Sequence, residues 1–187
     1  RYKSWIDLGV SRWQKYRSLL SKINKKPILF VMANDTTSAG QIQNYLEDHF
    51  KDLKGKILEL HIKVNRSGDI SETKSNLEYL KRLREAARKI DSNENPYRAI
   101  VSVLMLREGW DVRNVTVIVG LRPYTADANI LPEQTIGRGL RRMDARNLNW
   151  KEQVDIIGTP AFEEFVRQLE KEQVELQNEE ISHQKEL

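Results

Sequence analysis

Three side chains in QTIGRGLRR (134–142), Gln134, Arg138 and Arg141, fall at i, i+4 and i+7 and so share one face of a helix. One amide and two guanidinium groups on a common face suit a polyphosphate, because the planar arginine fork grips phosphate oxygens in pairs and keeps its charge. Gly137 and Gly139 lie between them, each costing a helix about 1 kcal/mol relative to alanine but leaving bare backbone that another surface can approach. Taken alone, the same run also reads as Arg138, Arg141 and Arg142 solvating an exposed face. A second candidate is REGWDV (107–112), which directly follows the apolar run RAIVSVLM (98–105). Gly109 and Asp111 would sit in the loop at that strand's carboxyl end, where a carboxylate can accept from ribose hydroxyls or an arginine. The alternative for Asp111 is a turn cap, with Trp110 in the core.

Positioning these groups requires strands that end on one edge. ILFVMA (28–33), RAIVSVLM and VTVIVGL (115–121) lack polar alternation, as strands covered on both faces do. Leu58, Leu60, Ile62 and Val64 alternate as a further strand, and VDIIG (154–158) is a short one. Helical spacing appears in Val10, Trp13, Tyr16, Leu20 and Ile23, a helix stopped by Pro27, and in Leu77, Leu80, Leu83, Ala87 and Ile90. NDTTSAGQ (34–41) supplies capping residues for a helix from about 38 to 51, and a last helix begins near 160 with Phe162, Phe165, Val166 and Leu169 on one side. Strands alternating with helices predict an α/β fold: a mainly parallel sheet with helices on both faces. Ligands of such sheets collect at the carboxyl ends of the strands.

The 187 residues suffice for one sizeable core, and 39% hydrophobic with 31% charged residues is ordinary for a globular domain. The absence of cysteine excludes disulfides and thiolate metal sites and favours a reducing, cytoplasmic setting. His49, His61 and His183 have no ligand-spaced companions, so no metal site is expected. The longest apolar runs are too short to span a bilayer and no signal-peptide pattern opens the chain, so no membrane association is expected. A net charge of +4 permits a polyanionic partner. Bases dominate residues 1–26 and 138–146, and the tail beyond 159 is rich in Glu and Gln. Trp13 and Tyr16, beside Arg12, Lys15 and Arg17, could stack on bases; packing of the first helix onto the sheet is the preferred reading.

In order and spacing, LREGWDVRNVTVIV (106–119) and then EQTIGRGLRR (133–142) resemble motifs V and VI of superfamily 2 helicases and translocases. Within that group the pattern is most similar to the helicase subunit of type III restriction enzymes and related DEAD/DEAH-like proteins. DIIGTPAFEEF (155–165) is similar to the segment after motif VI in those proteins, and ILFVMANDTTSAGQIQNYL (28–46) resembles the motif IV strand and helix. The resemblance implies a RecA-like C-terminal lobe over 27–160, with a flanking amphipathic helix (1–26) and a C-terminal helical extension (161–187). Arg138 and Arg141 would be fingers reaching the γ-phosphate of ATP held by an N-terminal lobe. Gln134 and Gly137 would belong to the nucleotide interface, and Gly109 and Asp111 would lie near the ribose. Asn34, Thr36 and Thr37 would hold a nucleic-acid backbone without reading sequence. The motif V threonine falls at Val103, with Ser102 the nearest hydroxyl.

No GxxxxGK[ST] phosphate loop and no DEAD or DExH box occurs, so ATP and Mg2+ would be held mainly by the missing lobe and the chain alone is expected to be inactive. No nucleophile elbow and no PD…ExK nuclease pattern is present. A first residue of Arg1 is what a piece of a longer protein would show. The implied activity is ATP-dependent translocation on nucleic acid, DNA in preference to RNA, with the N-terminal lobe of the same polypeptide and a modification or specificity subunit as partners. The competing readings are a RecA-like binding or regulatory module without catalysis, docking through its acidic tail, and a stand-alone nucleotide-binding domain.

Overall fold

The structure is a computed structural model, which describes residues 2–61, 85, 89–90, 92–103, 112–121 and 153–173. Its elements are α1 (Lys3–Leu20), β1 (Ile28–Met32), α2 (Thr36–His49), β2 (Ile57–His61), β3 (Ala99–Val103), β4 (Val115–Gly120), β5 (Asp155–Gly158) and α3 (Pro160–Gln173). The expectations for Ile62, Val64, the helix through Leu77, Leu80, Leu83 and Ala87, and the 134–142 helix lie outside the described residues.

The five strands form one sheet in the order β2-β3-β1-β4-β5, and all four pairings are parallel. Strands β1, β3 and β4 are buried along their whole length, which is why their sequences carry no polar alternation. Leu29, Val31, Ala99, Val101, Val117 and Val119 turn to one face, where α1 and α2 supply Val10, Trp13, Ala39, Ile42 and Leu46. Phe30, Leu58, Leu60, Ile100 and Ile118 turn to the other, packing with Ile90 and Phe162. The expected parallel α/β architecture with both faces covered is therefore present.

Trp13 is fully buried, and its indole nitrogen donates to the Pro27 carbonyl at 3.0 Å. Burial bears out the packing preferred from the sequence: Trp13 holds α1 on the sheet and offers no ring for stacking on bases. Tyr16 joins it, donating to Asp155 Oδ1 at 3.1 Å, and burial pushes its phenol well above the ordinary tyrosine value, reinforced by the Asp155 charge. Two details of this helix differ from expectation. It ends before Pro27, tightening into a 3-10 turn over Ser21–Ile23 that Asn24 closes with φ of 54°. Ile23, expected on the inner stripe, is 44% exposed, because the change of pitch rotates it out of the α-helical register.

Two local features carry stability consequences. Between Ile28 and Leu29 the β1–β4 register slips, Ile28 facing Val115 and Leu29 facing Val117, so Thr116 is an extra residue on β4. Its hydroxyl is buried without a hydrogen-bond partner. Gly120 and Gly158 face each other at the ends of β4 and β5, and a methyl group at either would collide with the Phe162 ring. The Thr116→Val variant should therefore be more stable by about 1 kcal/mol, since an unsatisfied hydroxyl is removed at nearly constant shape. Gly120→Ala should be less stable by about 1–3 kcal/mol through overpacking. Urea unfolding midpoints measure both, and a destabilised Thr116→Val would mean that the hydroxyl has a partner.

Candidate functional site

The carboxyl ends of parallel strands share one edge, and the described residues there come from four strands. Chain leaving β1 continues through Ala33, whose amide donates to the Ser102 carbonyl of β3 at 2.9 Å. On the other side the Leu121 amide, just past β4, donates to the Met32 carbonyl at 3.0 Å. Beyond β5, Thr159 caps α3: its amide reaches the Gly120 carbonyl at 3.2 Å, and its carbonyl and hydroxyl receive the Phe162 amide at 2.8 and 3.3 Å. Pro160, which has no amide hydrogen to satisfy, opens the helix.

Asn34, Thr36 and Thr37 are all exposed on this edge, and Ser102 is brought beside them through Ala33. Ser102 itself is only 4% exposed and belongs to the β1–β3 ladder opposite Met32, beneath the rim and not on it. Helix α2 begins at Thr36, two residues earlier than its composition implies, so Thr36 and Thr37 are first-turn residues and not loop residues. Asp35 explains the shift. Its backbone is extended, and its carboxylate accepts from the Ser38 amide at 2.7 Å, the geometry of an N-cap.

Asp35 was legible as a cap but not as an occupant of the candidate site. It places a negative charge at the helix end where a phosphate would otherwise meet free amides. Asn34 donates to its second oxygen at 3.1 Å. The Ser38 amide, with smaller help from Asn34 and the Thr37 amide, holds the Asp35 carboxyl below the usual aspartate value, although burial opposes this. The Ser38 amide in the first turn of α2 is thus taken by the Asp35 cap, and Thr36 and Thr37 stand exposed beside it.

Gly109, Asp111, Gln134, Gly137, Arg138 and Arg141 lie outside the described residues. The last described residue of β3, Val103, ends next to the strand that delivers Asn34. Among the described residues no group of three or more His, Asp or Glu side chains could hold a metal ion, and no helix is long and apolar enough to cross a membrane.

No protein-family model matches the chain, and the search of curated proteins gives no match. Solved structures show a partial likeness, at TM-scores below 0.5. Mss116p DEAD-box helicase domain 2, bound to an RNA duplex, gives a TM-score of 0.47 at 17% identity over 90% of this chain and 56% of that one. An S. cerevisiae Dbp5 variant bound to a Gle1 variant and IP6 gives 0.48 at 15% identity, over 87% of this chain and 36% of that one. The C-terminal domain of that Dbp5 variant, in complex with the same partners, gives 0.47 at 14% identity, with 87% and 78% covered. The chain spans about half the length of the first structure and about a third of the second.

Replacing Asp35 by Ala should cost the fold about 1 kcal/mol through loss of the cap. Because the folded carboxyl titrates below its unfolded value, the contribution is complete above about pH 4 and disappears as pH falls through the lower folded value. Chemical denaturation of both proteins at pH 7 and pH 2.5 checks this, the difference being expected in full at the first pH and smaller at the second.

Proposed function

We propose that the chain is the C-terminal RecA-like motor lobe, over 27–160, of an ATP-dependent nucleic-acid helicase or translocase of superfamily 2. The observation that carries this reading is the shared carboxyl edge. The exposed Asn34, Thr36 and Thr37 leave β1 beside the end of β3, from which the chain runs on to Gly109 and Asp111. The motif order in the sequence supports it further, since Gln134, Gly137, Arg138 and Arg141 come next in the spacing that a phosphate-directed helix requires.

In this reading each residue type has one task. Arg138 and Arg141 neutralise charge on phosphate oxygens at a nucleotide bound by a preceding lobe. Gln134 and Gly137 form the surface that meets that lobe, and Gly109 with Asp111 contacts the ribose. The hydroxyls of Thr36 and Thr37, with the Asn34 amide, hold the sugar-phosphate backbone irrespective of sequence. Bound ATP with Mg2+ supplies the hydrolysis that opens and closes the lobes. The chain has no phosphate loop of its own, so catalysis belongs to the two-lobed protein. The finer assignment, translocation on DNA in a type III restriction-like enzyme with a modification or specificity partner, rests on the sequence resemblance alone.

In a two-lobed protein containing this chain, Arg138→Ala and Arg141→Ala should each lower nucleic-acid-stimulated ATP hydrolysis by about 10³-fold or more while leaving nucleotide affinity of the first lobe largely intact. Steady-state turnover at saturating nucleic acid measures the effect, and wild-type rates in both variants would reject the finger role. Tight ATP binding by the 187-residue chain in isolation would favour a stand-alone nucleotide-binding domain instead.

A further inference from the structure

The large apolar side chains that are exposed among the described residues all belong to α1 or to the turn that ends it: Leu8 is 46% exposed, Leu19 57% and Ile23 44%. Leu8, Arg12, Lys15 and Leu19 fall at i, i+4, i+7 and i+11, so the two leucines bracket two cations on one ridge of the helix. This ridge faces away from Ile6, Gly9, Val10, Trp13 and Leu20, which are buried against the sheet. Lys22 and Ile23 follow in the 3-10 turn, both exposed. Arg12 lies 3.8 Å from Asp155 and Arg17 is paired with Asp52, but no acid among the described residues pairs with Lys15 or Lys22. Asp7, the one acid of α1, accepts from the Tyr45 hydroxyl at 2.8 Å.

Exposed apolar groups set among lysines fit a segment that alternates apolar side chains with carboxylates. Residues 174–187 lie outside the described residues, and in sequence they are such a segment. They carry four glutamates against one lysine, with Val174, Leu176, Ile181 and Leu187 interspersed. Their point of attachment also fits. Helix α3 starts at the carboxyl end of β5 and packs back on that strand, so it runs toward the opposite, amino edge of the sheet. Its 14 residues span about 21 Å, more than the four residues of β5, which carries Gln173 past the level of Asp155. From the other face α1 meets the same Asp155, through Arg12 at 3.8 Å and Tyr16 at 3.1 Å. β5 ends the sheet, so no strand among the described residues blocks the way round it. Packed layers lie about 10 Å apart, which puts the α3 and α1 axes about 20 Å apart. The six residues from Gln173 to Glu179 cover that distance at about 3.3 Å each.

We infer that residues 174–187 fold back around β5 and dock on the outer ridge of α1, Glu179 and Glu180 meeting Lys15 and Lys22 while Ile181 covers Leu19 and Ile23. Exposed ion pairs are individually weak, and the apolar cover is small. Tethering compensates, because the segment is held next to its ridge at high effective concentration. The contact leaves Thr36 and Thr37 at the carboxyl edge uncovered, so it stands independently of the motor-lobe reading.

The chain has no cysteine, so a pair of introduced thiols reports the contact directly. Leu19→Cys with Ile181→Cys should form an intramolecular disulfide in a glutathione redox buffer at least about tenfold faster than the control pair Lys54→Cys with Ile181→Cys, since docking raises the local concentration of one thiol at the other. Lys54 is exposed in the α2–β2 connection, on the side of the sheet away from β5. Adding Lys15→Glu and Lys22→Glu to the first pair should bring its rate down to the control's. Further addition of Glu179→Lys and Glu180→Lys should restore it, a rescue that a folding defect does not give. Equal rates for the two pairs overturn the inference, as does a rate unmoved by charge reversal. Disulfides that join two chains, seen as dimers on a non-reducing gel, also overturn it and assign the ridge to a second copy.

Discussion

A parallel sheet whose central strand is buried on both faces can be built only if every connection crosses back over a face, and this constraint organises the molecule. β1 pairs with β3 on one side and β4 on the other, and all five of its residues are buried. Helices must therefore cover both faces, α1 and α2 packing on one and Phe162 of α3 on the other with Ile90. Common strand polarity also sorts the connections into two groups. Everything leaving a strand is delivered to one edge and everything entering a strand to the other, so the chemistry of the protein is divided between edges before any side chain is considered.

The division is visible in the described residues. The carboxyl edge presents small and hydroxylic groups: Thr36, Thr37, Thr159 and the paired Gly120 and Gly158. Its helix ends are already capped, by the Asp35 carboxylate and by Thr159. The amino edge presents cations held on carbonyl oxygens, with Lys26 and Arg98 meeting on Asn95. Packing enforces the first pattern, because the Phe162 ring occupies the space that a side chain at Gly120 or Gly158 would need. Strand β5 and α3 are thereby drawn together, and the turn through Thr159 is set by that close approach.

The amino-edge arrangement also accounts for the course of the chain before β1. Trp13 reaches the Pro27 carbonyl, and Asn93 reaches the Asn24 carbonyl at 2.8 Å, so this turn is pinned from two directions. The left-handed residue Asn24 is what lets the chain reverse there. The cost of the arrangement appears at Thr116, where the β1–β4 ladder absorbs an extra residue and a hydroxyl is left unpaired.

How much of this was legible in the amino-acid order depends on the range of the interaction responsible. Strands β1, β3 and β4 were readable from uninterrupted apolar runs, because burial on both faces removes the polar alternation that would mark an exposed side. The parallel α/β class came from the alternation of element types, and Asp35 was readable as a cap because capping acts over three residues. The outward turn of Ile23 was not, since it depends on where the helix tightens before β1, and the exact start of α2 was not, since several residues of 34–41 could cap a helix. Lys26, Lys56, Arg98 and Arg113 lie far apart along the chain. Only the strand order β2-β3-β1-β4, set by which faces the crossovers must bury, turns those distant residues into a line.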